Sequence, residues 1–266
     1  MQGVIVCGAA GRMGSTIVRL VHQSGTMKVV GAIEWSAHPQ VNKDAGDMAG
    51  VGPIGVPITV ELLPLLKGQV LIIEFSTPDA TLEHVRLAAK KKIPIVIGTT
   101  GLDQTQLAEI KKLSRQTPIL LSANMSLGVN LLVSLLGKVA KTLGDDYDVE
   151  IIEAHHRFKK DAPSGTALAL GRAAAEGLGR NLDEVGINGR KGIVGERTQK
   201  EIAMLSVRAG DIVGDHTVIF GGIGERLEFI HRAQSRETFA QGALRAARWL
   251  AKQKPGLYGM QDVLEL

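Results

Sequence analysis

Two adjacent histidines, three cations and a Pro-Ser-Gly-Thr run fall within residues 153–168, EAHHRFKKDAPSGTAL. Such a segment can hold an anion and move a proton. Residues 147–155 (YDVEIIEAH) are β-branched and apolar enough for a strand, and the run from residue 167, ALALGRAAAEGLGR, favours helix. Positions 155–166 therefore read as a loop that ends at a helix N-terminus. The amides of Ser164, Gly165 and Thr166 would lack intrahelical partners there, and the helix dipole adds partial positive charge, so a carboxylate or phosphate could sit on them. Arg157, Lys159 and Lys160 add full charges alongside. Imidazole titrates nearest neutrality, so His155 or His156 could donate a proton in a transition state.

Each piece also has a plainer use. Pro163, Ser164, Gly165 and Thr166 could simply cap a helix, and the three cations could be a solvated run. A metal at the His-His pair is disfavoured: successive side chains of an extended chain point apart, and no nearby Cys or HExxH spacing completes a ligand set. The functional reading rests on all three features meeting in one loop.

A second constellation stands near the N-terminus. An apolar run leads into Gly8-Ala9-Ala10-Gly11-Arg12-Met13-Gly14, a GxxGxxG dinucleotide fingerprint. Gly8 permits the tight turn, Gly11 lets the backbone approach a pyrophosphate, and Gly14 allows the helix to pack closely on the sheet. Glu34 ends the next strand 34 − 14 = 20 residues after the last glycine, where a carboxylate would accept from the adenosine ribose. Trp35 follows it, so no Arg directly after the acid can receive a 2′-phosphate, although Arg12 could help from the turn. Two later strand ends, Gly98-Thr99-Thr100-Gly101 and Ser122-Ala123-Asn124-Met125, could border the nicotinamide half.

The elements that must position these residues fall into two patterns. Residues 3–7, 28–33, 69–75, 94–97 and 118–121 read as strands, and 14–22, 79–91 and 103–113 as helices between them. This alternation predicts an α/β fold with a Rossmann-type, doubly wound parallel sheet. Residues 36–63, with DAGDMAG and VGPIGVPI, break the rhythm as a Gly/Pro-bearing excursion with little helix. A helix over about 129–143 follows, then the strand before the histidines, the Ala-rich helix and strand-like runs at 201–208, 216–220 and 226–232. That order predicts a C-terminal α+β domain with an open mixed sheet. The expected boundaries are 1–125 for the dinucleotide-binding domain and 126–235 for a substrate-binding and oligomerisation domain. The last segment, 236–266, is expected to return to the first domain.

Composition narrows the partners. Aromatics are scarce at 3%, which argues against stacking platforms for nucleic acid, and a net charge of +4 spread along the chain gives no basic patch. The single Cys7 lies in an apolar run and reads as a buried thiol of a reducing compartment. The N-terminal residues show no basic n-region or long apolar stretch, so neither a signal peptide nor a membrane span is expected, and a cytoplasmic location follows.

The segments GAAGRMG, DAGDMAG, GTTG, ANMSLGVN, EAHHRFKKDAPSGTAL, SVRAGDIVGDHTV and FGGIGERLEFIHRAQSR, in that order from about residue 4 to 264, resemble the 4-hydroxy-tetrahydrodipicolinate reductase (dihydrodipicolinate reductase) family. The resemblance implies an NAD(P)H-dependent oxidoreductase of the diaminopimelate route to lysine, acting on a small cyclic dicarboxylate as a homotetramer, with no metal, nucleic acid or membrane involved. It implies that His155 gives or takes the proton, that Lys159 is a second proton donor, and that His156, Gly165 and Thr166 bind substrate carboxylates. Gly8, Ala9, Ala10, Gly11, Arg12, Met13, Glu34, Gly98, Thr99, Thr100, Ser122, Ala123, Asn124 and Met125 would line NADH or NADPH. Members that prefer NADPH often carry Arg after the acidic residue; Trp35 departs from that pattern. Two rivals remain: another two-domain amino-acid-pathway dehydrogenase, and a non-enzymatic NAD(H)-binding sensor that kept the fold without the chemistry.

Overall fold

The computed structural model describes residues 1–266. It divides into two compact units, Met1–Leu127 with Glu237–Glu265, and Gly128–Arg236.

The first unit is a seven-stranded parallel sheet. Its strands are β1 (Gln2–Cys7), β2 (Met27–Ile33), β3 (Ile58–Thr59), β4 (Val70–Glu74), β5 (Ile95–Ile97), β6 (Pro118–Leu121) and β12 (Gly256–Tyr258), in the spatial order β12-β6-β5-β4-β1-β2-β3. A parallel sheet buries both faces, so its strands are near-continuous apolar runs. Along β1, Val4 and Val6 join the core beneath α1 (Arg12–Gln23) and α8 (Glu237–Leu250), whereas Ile5 and Cys7 join the core beneath α3 (Pro78–Lys91) and α4 (Gln104–Leu113). Strand order reverses between β1 and β4, and a sheet of this kind binds ligands beyond the strand ends at such a reversal.

The strands and helices expected in this half are present, with ends shifted by a residue or two. The excursion over residues 36–63 contains one helical turn, α2 (Ala45–Met48), and the two-residue β3, which has too few positions to show a period. Asp44 organises this stretch: its carboxylate accepts from the amides of Gly46, Asp47, Ile54, Gly55 and Val56. In the last segment, β12 pairs in parallel with β6, and Ala243, Leu244 and Ala247 of α8 lie in the same core as α1.

The second unit is an open mixed sheet with helices on one face. Strands β7 (Asp148–His155), β8 (Gly186–Ile187), β9 (Ile202–Arg208), β10 (Gly214–Gly221) and β11 (Arg226–Ala233) lie in the order β11-β10-β7-β9-β8. β10 is antiparallel to β7 and β11, and β9 is parallel to β7 and β8. Val149 and Ile151 of β7 pack with Leu136 and Ala140 of α5 (Leu127–Leu143) and Leu170 and Ala174 of α6 (Gly165–Gly177). The alternate positions Ile152, Val207 and Ile230 are exposed on the other face. One stretch, Leu127–Asp146, is long and apolar enough by length and composition to cross a membrane, at a mean hydropathy of 1.3. The sequence predicts a helix over about 129–143 here and no membrane span; in this unit Leu132, Leu136 and Ala140 pack into the protein core.

Candidate active site

In the first unit the glycine turn follows β1. Gly8 has φ +74°, and a Cβ there would stand 2.4 Å from the Phe75 carbonyl oxygen; at Gly14 it would stand 2.0 Å from the Gly8 carbonyl oxygen. Both approaches exclude any side chain. Gly11 caps α1 in an extended conformation and offers no side-chain acceptor. The first-turn amides of Arg12 and Met13 are therefore not capped from within and can meet an anion. The neighbouring amides are already used: Ala9 donates to Ile33 O at 3.1 Å and Ala10 to Glu34 Oε1 at 2.9 Å. The latter bond fixes the Glu34 carboxylate against the turn.

Two cavities adjoin at this turn and share Gly11, Phe75 and Ser76. One of about 430 Å³ is lined by Arg12, Met13, Gly98, Thr99, Thr100, Ala123, Asn124 and Met125, together with Phe239 of α8. The other, of about 500 Å³, is lined by Gly8, Glu34, Trp35, His38 and His84 among others. Two chambers flanking an anion-ready helix end fit the two halves of a dinucleotide. Ala9, Ala10 and Ser122 line neither chamber. Ser122 Oγ instead donates to Asn124 O at 2.8 Å, which shapes the turn carrying Asn124. Sequence reading missed Phe75, Ser76, His84 and Phe239, since each is brought in by the fold without a local motif.

Under the second chamber lies a buried group. Glu74 Oε2 is 2.6 Å from His84 Nδ1, and Ser76 N donates to Glu74 Oε1 at 2.9 Å. Burial first, then the Glu74 carboxylate, pushes the Cys7 thiol well up, so it stays protonated. Cys7, Glu74 and His84 bring their ligand-type atoms within 4.8 Å of one another.

In the second unit β7 ends at His155 and α6 begins at Gly165. His155 Nδ1 lies 2.6 Å from Glu153 Oε2. Glu153 has no exposed side-chain surface, and Arg208 donates to it from Nη1 and Nη2, each at 2.8 Å. Burial alone would raise this carboxyl; the hydrogen bonds from Arg208 and His155 outweigh it and hold it down at about 2. Burial lowers the His155 pKa despite the opposing pull of Glu153. A Cβ at Gly214 would come within 3.1 Å of His155 Nε2, so the glycine of β10 makes room for the ring.

Ser164 caps α6 through Ala167 N at 3.2 Å, donates its own amide to Glu153 Oε1 at 3.1 Å, and meets His216 Nε2 at 3.1 Å. Its amide is thus engaged inside the protein, contrary to the expectation that it faces an anion. Gly165 and Thr166 occupy the first turn, at the positive end of the helix dipole, and a Cβ at Gly165 would meet nothing within 4 Å. His156 has a buried Nδ1 with no partner, and its ring tilts toward Phe158. Lys159 Nζ lies 2.9 Å from both carboxylate oxygens of Asp161. Arg157 and Lys160 are exposed.

Glu153, Arg208 and His216 were not singled out from the sequence. Glu153 could have been: two residues before His155 on one strand, it shares that residue's face. Arg208 and His216 come from β9 and β10, opposite His155 and Glu153 respectively, and only strand register brings them there.

Comparison with known proteins agrees with this architecture. Residues 2–125 match the family "Dihydrodipicolinate reductase, N-terminus" and residues 128–264 "Dihydrodipicolinate reductase, C-terminus". The 4-hydroxy-tetrahydrodipicolinate reductases of Syntrophus aciditrophicus and Syntrophobacter fumaroxidans are 53% and 50% identical, over 99% of this chain and 98% and 99% of theirs. A dipicolinate-bound dihydrodipicolinate reductase from Paenisporosarcina sp. TG-14 has a similar structure, with a TM-score of 0.79 at 25% identity over 98% of this chain and 99% of that one. With both halves matched in order and relatives near half identity along the whole length, the chain belongs to the dihydrodipicolinate reductase family.

Proposed function

We propose that this chain reduces 4-hydroxy-tetrahydrodipicolinate to tetrahydrodipicolinate, with loss of water, in the diaminopimelate route to lysine. The observation that carries the reading is His155, gripped by a buried ionised carboxylate and followed in the chain by a helix whose first turn is Gly165-Thr166. The first unit is the dinucleotide-binding domain and the second the substrate-binding and oligomerisation domain.

Gly8, Gly11 and the amides of Arg12 and Met13 receive the pyrophosphate, and Glu34 receives the adenosine ribose. The turns at Gly98, Thr99 and Thr100 and at Ala123, Asn124 and Met125 border the nicotinamide, while Ala9, Ala10 and Ser122 hold these turns in shape. When bound, the dinucleotide supplies hydride to C4 of the unsaturated ring left after water departs. His155 gives a proton to C3, which removes the negative charge spread over the conjugated imine. Lys159 stabilises that charge or supplies a second proton. Gly165 and Thr166 bind one substrate carboxylate with His156 nearby, and Ser164 acts as the cap that orients their turn. No metal enters these steps, and chelator should leave turnover unchanged.

NADH is favoured, since Glu34 repels a 2′-phosphate and Trp35 offers it no cation. The exposed outer face of the second sheet, with Ile152, Val207 and Ile230, supports self-association as a homotetramer, which mass measurement in solution tests. A cytoplasmic setting suits an enzyme of NAD(P)H whose one cysteine is buried and unpaired.

The test is loss of NADH absorbance with substrate made in place by condensing pyruvate with aspartate semialdehyde. Turnover that falls by about 10²–10⁴-fold in His155→Ala is the expected result. NADH binding without any turnover would instead favour a dinucleotide-binding sensor.

A further inference from the structure

We propose that Glu153, backed by Arg208, is the positioning residue of this site: one buried carboxylate sets both the ring of His155 and the start of α6. The proposal rests on the reading of His155 as proton donor given above.

Both oxygens of Glu153 are fully used. Oε2 meets His155 Nδ1 at 2.6 Å and Arg208 Nη1 at 2.8 Å; Oε1 meets Arg208 Nη2 at 2.8 Å and Ser164 N at 3.1 Å. A buried carboxylate without such partners would take up a proton. Here the guanidinium keeps it charged, so it acts only as an acceptor. An obligate acceptor at Nδ1 holds the ring proton there and leaves Nε2 as the atom that gains and gives up the reacting proton. The second oxygen fixes Ser164, and with it the direction in which the first turn of α6 faces.

Arg208 extends the same control to the loop. Its Nη2 also donates to Asp161 O at 2.6 Å, and Asp161 holds Lys159. Proton donor, second cation and anion-facing turn therefore share one hub, built from β7, β9, the 156–163 loop and α6. An ion pair serving stability alone has no reason to engage His155 and Ser164 on separate oxygens.

The groups around His155 fix the sign of the expected effect. Lys159 from the loop and Arg208 from β9 disfavour a positive charge on His155, the uncharged His216 ring of β10 lies edge-on at 5.2 Å, and Glu153 supplies the opposing negative charge. Removing that charge should lower the pH at which His155 titrates.

The experiment is ring ¹⁵N and ¹H NMR of His155, assigned with His155→Ala, alongside kinetics of Glu153→Gln, Glu153→Asp and the double variant Glu153→Gln/Arg208→Met. In the unaltered protein the neutral His155 ring should carry its proton on Nδ1. Glu153→Gln should shift the titration to lower pH and cut kcat about 10²-fold with the NADH dissociation constant unchanged, and Glu153→Asp should restore part of both. The double variant leaves no unpaired buried charge and should be as slow as Glu153→Gln. A neutral ring protonated on Nε2, or a folded double variant with unchanged titration and kcat, would overturn the proposal. If the unaltered protein shows no turnover, the reductase reading fails, while the tautomer and the titration still decide whether Glu153 controls His155.

Discussion

The two units build their sites from different material. In the first, the cradle is mostly backbone: three glycines, two uncapped amides and one carboxylate fixed by Ala10 N. In the second it is mostly side chain: Glu153, His155, Arg208 and His216 reach one another from three strands and bury their polar atoms together. A backbone cradle depends on steric clearance and changes little with pH, whereas a buried side-chain network depends on charge and does. The first should fail when a methyl group is added, the second when a proton is.

The largest effect expected is on the first unit. Gly14→Ala puts a Cβ 2.0 Å from the Gly8 carbonyl oxygen, a backbone clash that a flexible side chain cannot relieve. NADH binding by calorimetry should be lost, with a destabilisation of about 1–3 kcal/mol in urea unfolding. Gly165→Ala sharpens the contrast, because that Cβ meets nothing within 4 Å. Its melting temperature and NADH affinity should stay as they are while the substrate KM rises about tenfold, from crowding of the bound carboxylate. A melting temperature that falls as in Gly14→Ala would show that the second glycine serves packing after all.

Acid should single out the second unit. His216 is held neutral, its pKa lowered to about 4 from 6.5 chiefly by burial, and Glu153 is held charged at about 2 from 4.5. Both groups bind protons more readily when unfolded, so each contributes stability that is complete above its unfolded value and is lost as pH falls. His216 sets a window from pH 6.5 to about 4, and Glu153 one from 4.5 to about 2. Each window is worth about 3 kcal/mol at most. Urea unfolding followed by circular dichroism across these pH values should show both, and His216→Gln should shrink the upper one to what His155 and His231, also lowered by burial, contribute. An upper window that survives the substitution undiminished would place the acid sensitivity elsewhere.

The smallest effect concerns cofactor choice. Trp35 is 62% exposed at the mouth of the second chamber, so replacing it disturbs little packing. Trp35→Arg should raise the NADPH-to-NADH ratio of kcat/KM about tenfold, through a charged hydrogen bond to the 2′-phosphate. An unchanged ratio in steady-state kinetics would assign the choice to Arg12 or to the Glu34 carboxylate alone.

Legibility in the sequence followed the same divide. The Gly8–Gly14 turn and Glu34 could be read because a turn followed by a helix is set by neighbours in the chain, and the acid lies one βαβ step onward. Most strands of the parallel sheet, the three-residue β5 among them, were legible in their apolar runs, whereas β3 and β12 there and β8 (Gly186–Ile187) in the second sheet were not, being two or three residues long in stretches interrupted by glycine or proline. The loop from His155 to Thr166 showed its residue types but not their partners. Ser164 illustrates the limit: its type marked a helix cap at an anion site, and the cap is there, yet its amide turns inward to Glu153.

By itself the sequence determined the two-part α/β order, the glycine turn and the presence of two histidines and three cations beside a helix start, because each is written in residues close along the chain. Tertiary structure alone decided which side chains meet His155 Nδ1 and which carboxylate meets the start of α6. Those answers depend on the register that sets Arg208 opposite His155 and His216 opposite Glu153, and on burial that only a packed sheet supplies.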